Sequence, residues 1–125
     1  MIKTDVLVIG SGISGLSYAI KIAEELPEAK ITIVTKADED ESNTKYAQGG
    51  LAVVTDSSND NFQKHIDDTL LAGDYENDPE IVKMVVEEAP IRFKEIVEWG
   101  AKFDEVNGKL ALGREGGHTE NRIIH

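Results

Sequence analysis

Residues 6–16 read V-L-V-I-G-S-G-I-S-G-L, and the fold turns on how this stretch is interpreted. Asp5 to Ile9 is a short, mostly aliphatic run that fits a buried strand, and it ends on Gly10, Gly12 and Gly15 in the spacing G-x-G-x-x-G. Each glycine has its own physical use: Gly10 permits a tight turn, Gly12 lets backbone approach a pyrophosphate, and Gly15 lets a following helix pack closely on the sheet. The first turn of that helix, with Ser11, Ile13 and Ser14 inside the motif, would present unpaired N–H groups and the positive end of its dipole to phosphates. Glycine is common, so the spacing alone is weak. Here it follows a strand-like run and precedes apolar residues at helical spacing (Leu16, Ala19, Ile20, Ala23, Leu26), then a second aliphatic strand, Ile31 to Val34. In that context a dinucleotide-binding turn is favoured over a structural turn that holds no ligand.

The helix from about Ile13 closes at Pro27, and Glu28-Ala29 turns the chain into a strand from Lys30 to Thr35. Strand, helix and parallel strand in so short a span make one right-handed crossover, the βαβ unit of an α/β fold. Ala37 to Lys45 is polar, with Asp38, Glu39, Asp40 and Glu41 in succession, as in a solvated loop. Gly49-Gly50 before the aliphatic run Leu51 to Val54 is either a plain turn or a place where backbone lies flat against a planar ligand. Asn59 or Asp60 can cap a helix running to about Ala72, with Gly73 as terminator. In that helix, His65 with Asp67 and Asp68 reads as solvent-facing rather than as a catalytic relay. Asp78-Pro79 starts another helix, and Ile81, Val82, Val85, Val86 and Ala89 form its core stripe. Pro90 then implies a kink or a second helix, with Trp99 in the core. Asn107-Gly108 signals a hairpin returning through Lys109 to Leu112. The last residues, G-R-E-G-G-H-T-E-N-R-I-I-H, put ionisable groups on a glycine-shaped loop, as an anionic substrate bearing an amino group would require; a solvated loop is the alternative.

The length of 125 residues allows one small domain but is short for a nucleotide domain with a complete substrate site. Met1 lies almost directly before the first strand, the sequence stops in the apolar run before His125, and strand candidates are few. An incomplete piece of a longer protein is therefore expected. A net charge of −11 repels phosphate backbones and no basic cluster offsets it, so nucleic-acid binding is not expected. The absence of cysteine leaves neither a disulfide framework nor a thiolate metal site. No signal-peptide core or long apolar span is present, which suggests a cytoplasmic setting without membrane insertion. His65, His118 and His125 are too far apart for an H-E-x-x-H metal pattern, and Ser11 and Ser14 lie in the glycine turn rather than in G-x-S-x-G.

An adenine ribose is commonly held by an acidic residue at the end of the second strand, about twenty residues past the glycines. Thr35 and Lys36 stand there instead, which departs from the simple NAD pattern, while the neighbouring acidic run argues against a 2′-phosphate pocket. Several separate blocks then converge. Beyond the glycine turn they are Ser42-Asn43-Thr44-x-Tyr46-Ala47-Gln48-Gly49-Gly50, His65-Ile66-x-Asp68-Thr69-Leu70-x-Ala72-Gly73, Trp99-Gly100, Phe103-Asp104 and Arg114-Glu115-Gly116-Gly117-His118. Together they resemble the L-aspartate oxidase family, within the wider group of FAD proteins that includes the succinate dehydrogenase and fumarate reductase flavoprotein subunits.

The resemblance covers essentially the whole chain and implies a Rossmann-like FAD-binding βαβ domain over residues 1–125, incomplete in this fragment, whose end motif, about 113–125, reaches the substrate site. Gly10, Ser11, Gly12, Ile13, Ser14 and Gly15 would hold the FAD pyrophosphate, and Thr35 and Lys36 would replace the acidic ribose contact. Ser42, Asn43, Thr44, Ala47, Gln48, Gly49 and Gly50 would line the flavin ring. Covalently flavinylated relatives carry histidine where this chain has Asn43, so FAD is expected to be non-covalent. Glu115 occupies a position that is usually apolar in the dicarboxylate reductases and dehydrogenases. A buried charge needs a partner, so Glu115 would meet the ammonium group of an amino diacid; pairing with Arg114 or Arg122 is the structural alternative. The implied reaction is oxidation of L-aspartate to iminoaspartate by hydride transfer to flavin N5, with oxygen or fumarate as acceptor, feeding quinolinate and NAD biosynthesis, with the imine passing to quinolinate synthase as a further expectation. The clamping residues and the acid/base arginine are expected beyond His125, leaving the fragment alone inactive. A soluble fumarate reductase or succinate dehydrogenase flavoprotein is the nearest alternative, and a non-catalytic nucleotide-fold module the more distant one.

Overall fold

The computed structural model describes residues 3–36, 38, 42, 44–47 and 49–125. The chain divides into two compact units, Met1–Gln48 and Gly49–His125. The first contains β1 (Val6–Ile9), α1 (Ile13–Glu25) and β2 (Ile31–Val34). The two strands pair in parallel, Val6 opposite Ile31 and Ile9 opposite Val34, which realises the strand, helix and parallel strand expected from the sequence. The Asp5 carboxylate accepts the Lys30 N–H at 2.9 Å and ties the strand entrances together. α1 stops just before Pro27, with the Leu26 N–H donated to the Ile22 carbonyl. Only one face of β1 is buried, contrary to the expected buried strand. Val8 faces inward, whereas Leu7 and Ile9 are exposed, Ile9 by 83%. Successive residues point to opposite sides of a strand, and α1 covers the Val8 side alone. Glu39, Asp40 and Glu41 of the acidic run lie outside the described residues.

The second unit contains β3 (Leu51–Ala52), α2 (Phe62–Ala72), α3 (Pro79–Glu98), β4 (Glu105–Val106), β5 (Lys109–Leu110), β6 (Leu112–Gly113) and β7 (Ile123–Ile124). β7 is the centre of an antiparallel sheet ordered β3-β7-β6, while β4 and β5 form a separate hairpin. The hairpin turn is the expected Asn-Gly type, Asn107 and Gly108 both adopting positive φ. The strand expected to reach Val54 is shorter, but Val53 N still donates to the Arg122 carbonyl at 2.9 Å.

α2 begins one or two residues later than the expected cap at Asn59 or Asp60 implies. Asn61 is its cap, accepting from Lys64 N at 2.9 Å, while the Asp60 carboxylate accepts from Arg122. α3 starts as the sequence predicts, with Asp78 accepting from the Glu80 and Ile81 N–H groups and Pro79 in the first turn. It runs through Pro90 as a single helix, so the two-helix alternative does not apply. Ile66, Val82 and Val86 form one core between α2 and α3, with Leu70 packed against it. Val53, Phe93 and Ile124 form a second, joined by Ala89, Phe103, Leu110 and Leu112. The expected core stripe of α3 is therefore only partly buried. Val82 and Val86 are covered, Ile81 and Val85 are exposed, and Trp99 is half-buried. The stripe is wider than the surface that α2 and the small sheet cover within this unit. Among the described residues no helix is long and apolar enough to cross a membrane.

Candidate functional site

In the first unit the glycine turn opens onto a groove of about 380 Å³ at the carboxyl ends of β1 and β2. It brings together Gly10, Ser11, Gly12, Thr35, Lys36, Ser42 and Thr44. Two of the three motif glycines are required by the fold, for different reasons. Gly10 has a φ of 107°, which L side chains rarely adopt. A Cβ on Gly15 would overlap the Gly10 carbonyl oxygen and press on Val8 Cγ1, so this glycine sets the approach of α1 to β1. Gly12 is under neither constraint: its φ is −73° and an added Cβ would meet only Thr44 Oγ1, at 3.8 Å. The protein leaves room there, as a close-lying ligand would require.

Gly12 caps α1 in extended conformation without a side-chain hydrogen bond, so the helix end lacks the usual side-chain oxygen. Thr44 Oγ1 supplies one from a distant segment by accepting the Ile13 N–H at 3.1 Å. This contact joins Thr44 to the glycine turn, and Ser42 Oγ accepts the Lys45 N–H. Ser11 is buried, and its hydroxyl lies 3.4 Å from that of Thr35 at the end of β2. Lys36 is the only charged side chain among the described residues lining the groove. With the α1 N-terminus it gives the groove a positive character suited to phosphates. Ile13 and Ser14 are exposed in the first turn of α1, and Ala47 closes a turn onto the Thr44 carbonyl. Asn43 and Gln48, expected at the flavin ring, lie outside the described residues.

In the second unit the two adjacent glycines prove to be unlike. Gly50 has no room for a side chain, because a Cβ would overlap the Ile124 carbonyl and Ile123 Cγ2. Its smallness is thus explained by close approach to β7, a protein contact. Gly49 is exposed, has a φ of 99°, and stands under the Glu115 carboxylate, with Oε2 3.5 Å from where a Cβ would be. Glu115 also has His125 Nε2 3.7 Å from its Oε1, both side chains being about half exposed. Glu115 is not a buried charge within this unit, and it pairs with neither Arg114 nor Arg122.

Arg122 is instead the centre of a buried cluster that sequence reasoning missed. It is 0% exposed. Its Nε and Nη2 donate to the two Asp60 carboxylate oxygens at 2.8 Å each, and Nη1 donates to Asp68 Oδ2 at 2.5 Å. Asp68 Oδ2 also accepts from Thr119 N and Oγ1, at 2.8 and 2.9 Å. Arg122 Nη1 lies 3.1 Å from His118 Nδ1. Burial pushes both carboxyls up, but the hydrogen bonds from Arg122 and, for Asp68, from Thr119 outweigh it and hold both below the usual carboxylate range. Hydrogen bonding to Asp60 raises the Arg122 guanidinium further still.

His65 and Asp68, expected to face solvent, are both buried; only Asp67 is exposed. Burial lowers the His65 pKa, with Arg122 and His118 adding to the effect, and among the described residues its Nδ1 has no hydrogen-bond partner. The sequence contained one weak signal for this cluster, an arginine directly before the apolar pair Ile123-Ile124. Its partners lie 54 and 62 residues away, beyond the reach of local patterning.

The arrangement in the first unit can hold a diphosphate, and the loop of the second unit can meet a ligand carrying both charge signs. Comparison with known proteins bears on the first of these. A family model described as "FAD binding domain" matches residues 5–125. The chain is 47% identical over 122 residues to the chloroplastic L-aspartate oxidase of Oryza sativa subsp. japonica, covering 97% of this chain and 18% of that protein. It is 42% identical to the L-aspartate oxidase of Streptomyces coelicolor, covering 99% of this chain and 21% of that one. Among solved structures, an E. coli quinol fumarate reductase FrdA variant superposes with a TM-score of 0.86 at 30% identity, over 98% of this chain and 21% of that one. Mycobacterium smegmatis Sdh1 gives 0.84 at 34%, over 98% and 20%. The chain thus spans about a fifth of the length of these relatives.

Proposed function

Since the chain belongs to the FAD binding domain family, we propose that it is the FAD-binding part of a flavoenzyme that oxidises L-aspartate to iminoaspartate. The observation that carries this reading is the pairing of Gly49, expected beside the flavin ring, with Glu115, expected to select the substrate, within one unit. Identities of 42 and 47% to L-aspartate oxidases, against 30 and 34% to the fumarate reductase and Sdh1 chains, favour the amino diacid over its unsubstituted analogues.

The residues present fit FAD. Gly12 leaves a cradle that a larger side chain would fill, and Lys36 with the α1 N-terminus supplies positive potential for the diphosphate. Gly10, Ser11, Ile13, Ser14 and Gly15 would hold the pyrophosphate, with Thr35 and Lys36 toward the ribose. Ser42, Asn43, Thr44, Ala47, Gln48, Gly49 and Gly50 would line the ring. Asparagine at 43 offers no imidazole for a covalent link, so the cofactor is held non-covalently.

Bound FAD supplies the hydride acceptor for oxidation of the substrate Cα–N bond. The chain's own part is binding and orientation. Glu115, half exposed and next to His125, offers a carboxylate to the substrate ammonium. The backbone at Gly49 carries no side chain between that carboxylate and the face beside it. Further residues that clamp the carboxylates, and the one that moves the amine proton, are expected in the remaining length of such an enzyme. Oxygen or fumarate takes the electrons, and the imine feeds quinolinate formation in a cytoplasmic pathway toward NAD.

The test is purification of the intact protein without stripping its cofactor. A yellow protein whose flavin absorbance bleaches on anaerobic addition of L-aspartate is the expected result. A colourless protein that takes up no FAD overturns the proposal. Flavin that responds to succinate but not to aspartate leaves the fumarate reductase reading in its place.

A further inference from the structure

The exposed loop between β6 and β7 contains Gly116 and Gly117, and such a segment samples many conformations unless it is anchored. Its far end is anchored unusually firmly. His118 N donates to the Glu115 carbonyl at 3.2 Å, with Gly117 at a φ of 82°, so Glu115 and His118 stand at the two ends of one hydrogen-bonded turn. Thr119 is held on Asp68 through both its N–H and its hydroxyl. Arg122, directly before β7, reaches back to the His118 ring.

A guanidinium has five N–H donors and no acceptor, so the contact with Arg122 Nη1 makes His118 Nδ1 the acceptor. The ring proton then resides on Nε2, and among the described residues no group takes it. Asp60 and Asp68 fix the guanidinium on two sides, and this geometry holds the ring orientation in turn. A buried ion cluster of this kind contributes little net stability, whereas it defines position well.

We propose that Arg122 is a positioning residue that presents His118 Nε2–H as a hydrogen-bond donor to a carboxylate of the diacid substrate. The inference rests on the reading of the chain as part of an aspartate-oxidising flavoprotein. Glu115 and His118 then divide the recognition of an amino diacid. The carboxylate of one meets the ammonium, and the donor of the other meets a carboxylate.

The test uses the intact, FAD-loaded protein, with L-aspartate turnover and with succinate, which lacks the ammonium, as a competing ligand. His118→Ala is expected to raise the KM for aspartate and the Kd for succinate by a similar factor, roughly tenfold or more, with flavin still bound. His118→Gln keeps an amide donor at about the reach of Nε2 and is expected to restore most of both losses. Arg122→Lys, which keeps the charge but not the fork, is expected to reproduce the His118→Ala pattern. Glu115→Gln is expected to weaken aspartate but not succinate. The inference is overturned if His118→Ala leaves succinate binding unchanged, or if its only effect is loss of flavin. A wild-type protein that neither turns over aspartate nor binds succinate would instead remove the underlying functional reading.

Discussion

Replacing Arg122 by methionine removes the cation shared by two buried carboxylates. Asp60 and Asp68 are 5% and 6% exposed and would remain in place, without their direct ion pairs. Breaking a buried pair by removing one partner costs about 3–5 kcal/mol, because an uncompensated charge is left behind. At about 2–4 °C per kcal/mol for a protein of moderate size, the melting temperature is expected to fall on the order of 10 °C.

The pH dependence provides the sharper test. Both carboxyls are depressed in the folded wild type, so their stabilising contribution is present above the ordinary carboxylate pKa and is lost as pH falls through the folded values. Without Arg122, desolvation acts against the charged forms with less opposition and their pKa values rise. Acid then neutralises the unpaired carboxylates and relieves the variant while it weakens the wild type. Thermal melts monitored by circular dichroism at about pH 7.5 and about pH 4.5 should therefore show a gap that narrows in acid. Adding Asp60→Asn and Asp68→Asn to Arg122→Met should recover most of the loss at neutral pH. Equal melting temperatures at neutral pH, or a gap that does not narrow, would refute the reasoning.

The glycine turn offers a paired test. Gly15→Ala forces a Cβ into the Gly10 carbonyl and should destabilise the fold by about 1–3 kcal/mol and impair FAD retention. Gly12→Ala meets only Thr44 Oγ1 at 3.8 Å, so it should leave apoprotein stability within about 0.5 kcal/mol while weakening FAD at least roughly tenfold in a flavin titration. Gly50→Ala, which overlaps the Ile124 carbonyl, should cost about 1–3 kcal/mol by denaturant unfolding of the apoprotein. The folded His65 is depressed, so its contribution is full above the ordinary histidine pKa and is lost as pH falls through the folded value. Melting temperatures taken between about pH 7 and about pH 5 should decline less for His65→Leu than for wild type; parallel declines would exclude His65 as a source of acid sensitivity.

The local elements were largely legible because their causes are local. Aliphatic runs flanking G-x-G-x-x-G specified β1, α1 and β2, Asp78-Pro79 specified the start of α3, and Asn107-Gly108 specified the hairpin. Each depends on backbone sterics, capping or periodicity within a few residues. The glycine groove was legible for the same reason, although the link from Thr44 to the Ile13 N–H was not. Misreadings arose where burial depends on what another segment covers. Val85 and Ile81 have the periodicity of core residues yet are exposed, and His65 sits in a polar-looking run yet is buried.

Sequence by itself thus determined the strand, helix and strand around the glycine turn, the steric roles of Gly10 and Gly15 and the composition of the Glu115 loop. Only the tertiary structure decided that Arg122 joins Asp60, Asp68 and His118, that Gly50 yields to β7, and that Glu115 stands over Gly49 beside His125. Hydrogen bonds and ion pairs between residues far apart in the chain depend on where packed elements bring their side chains. That placement is a property of the whole fold, carried by no single stretch of residues.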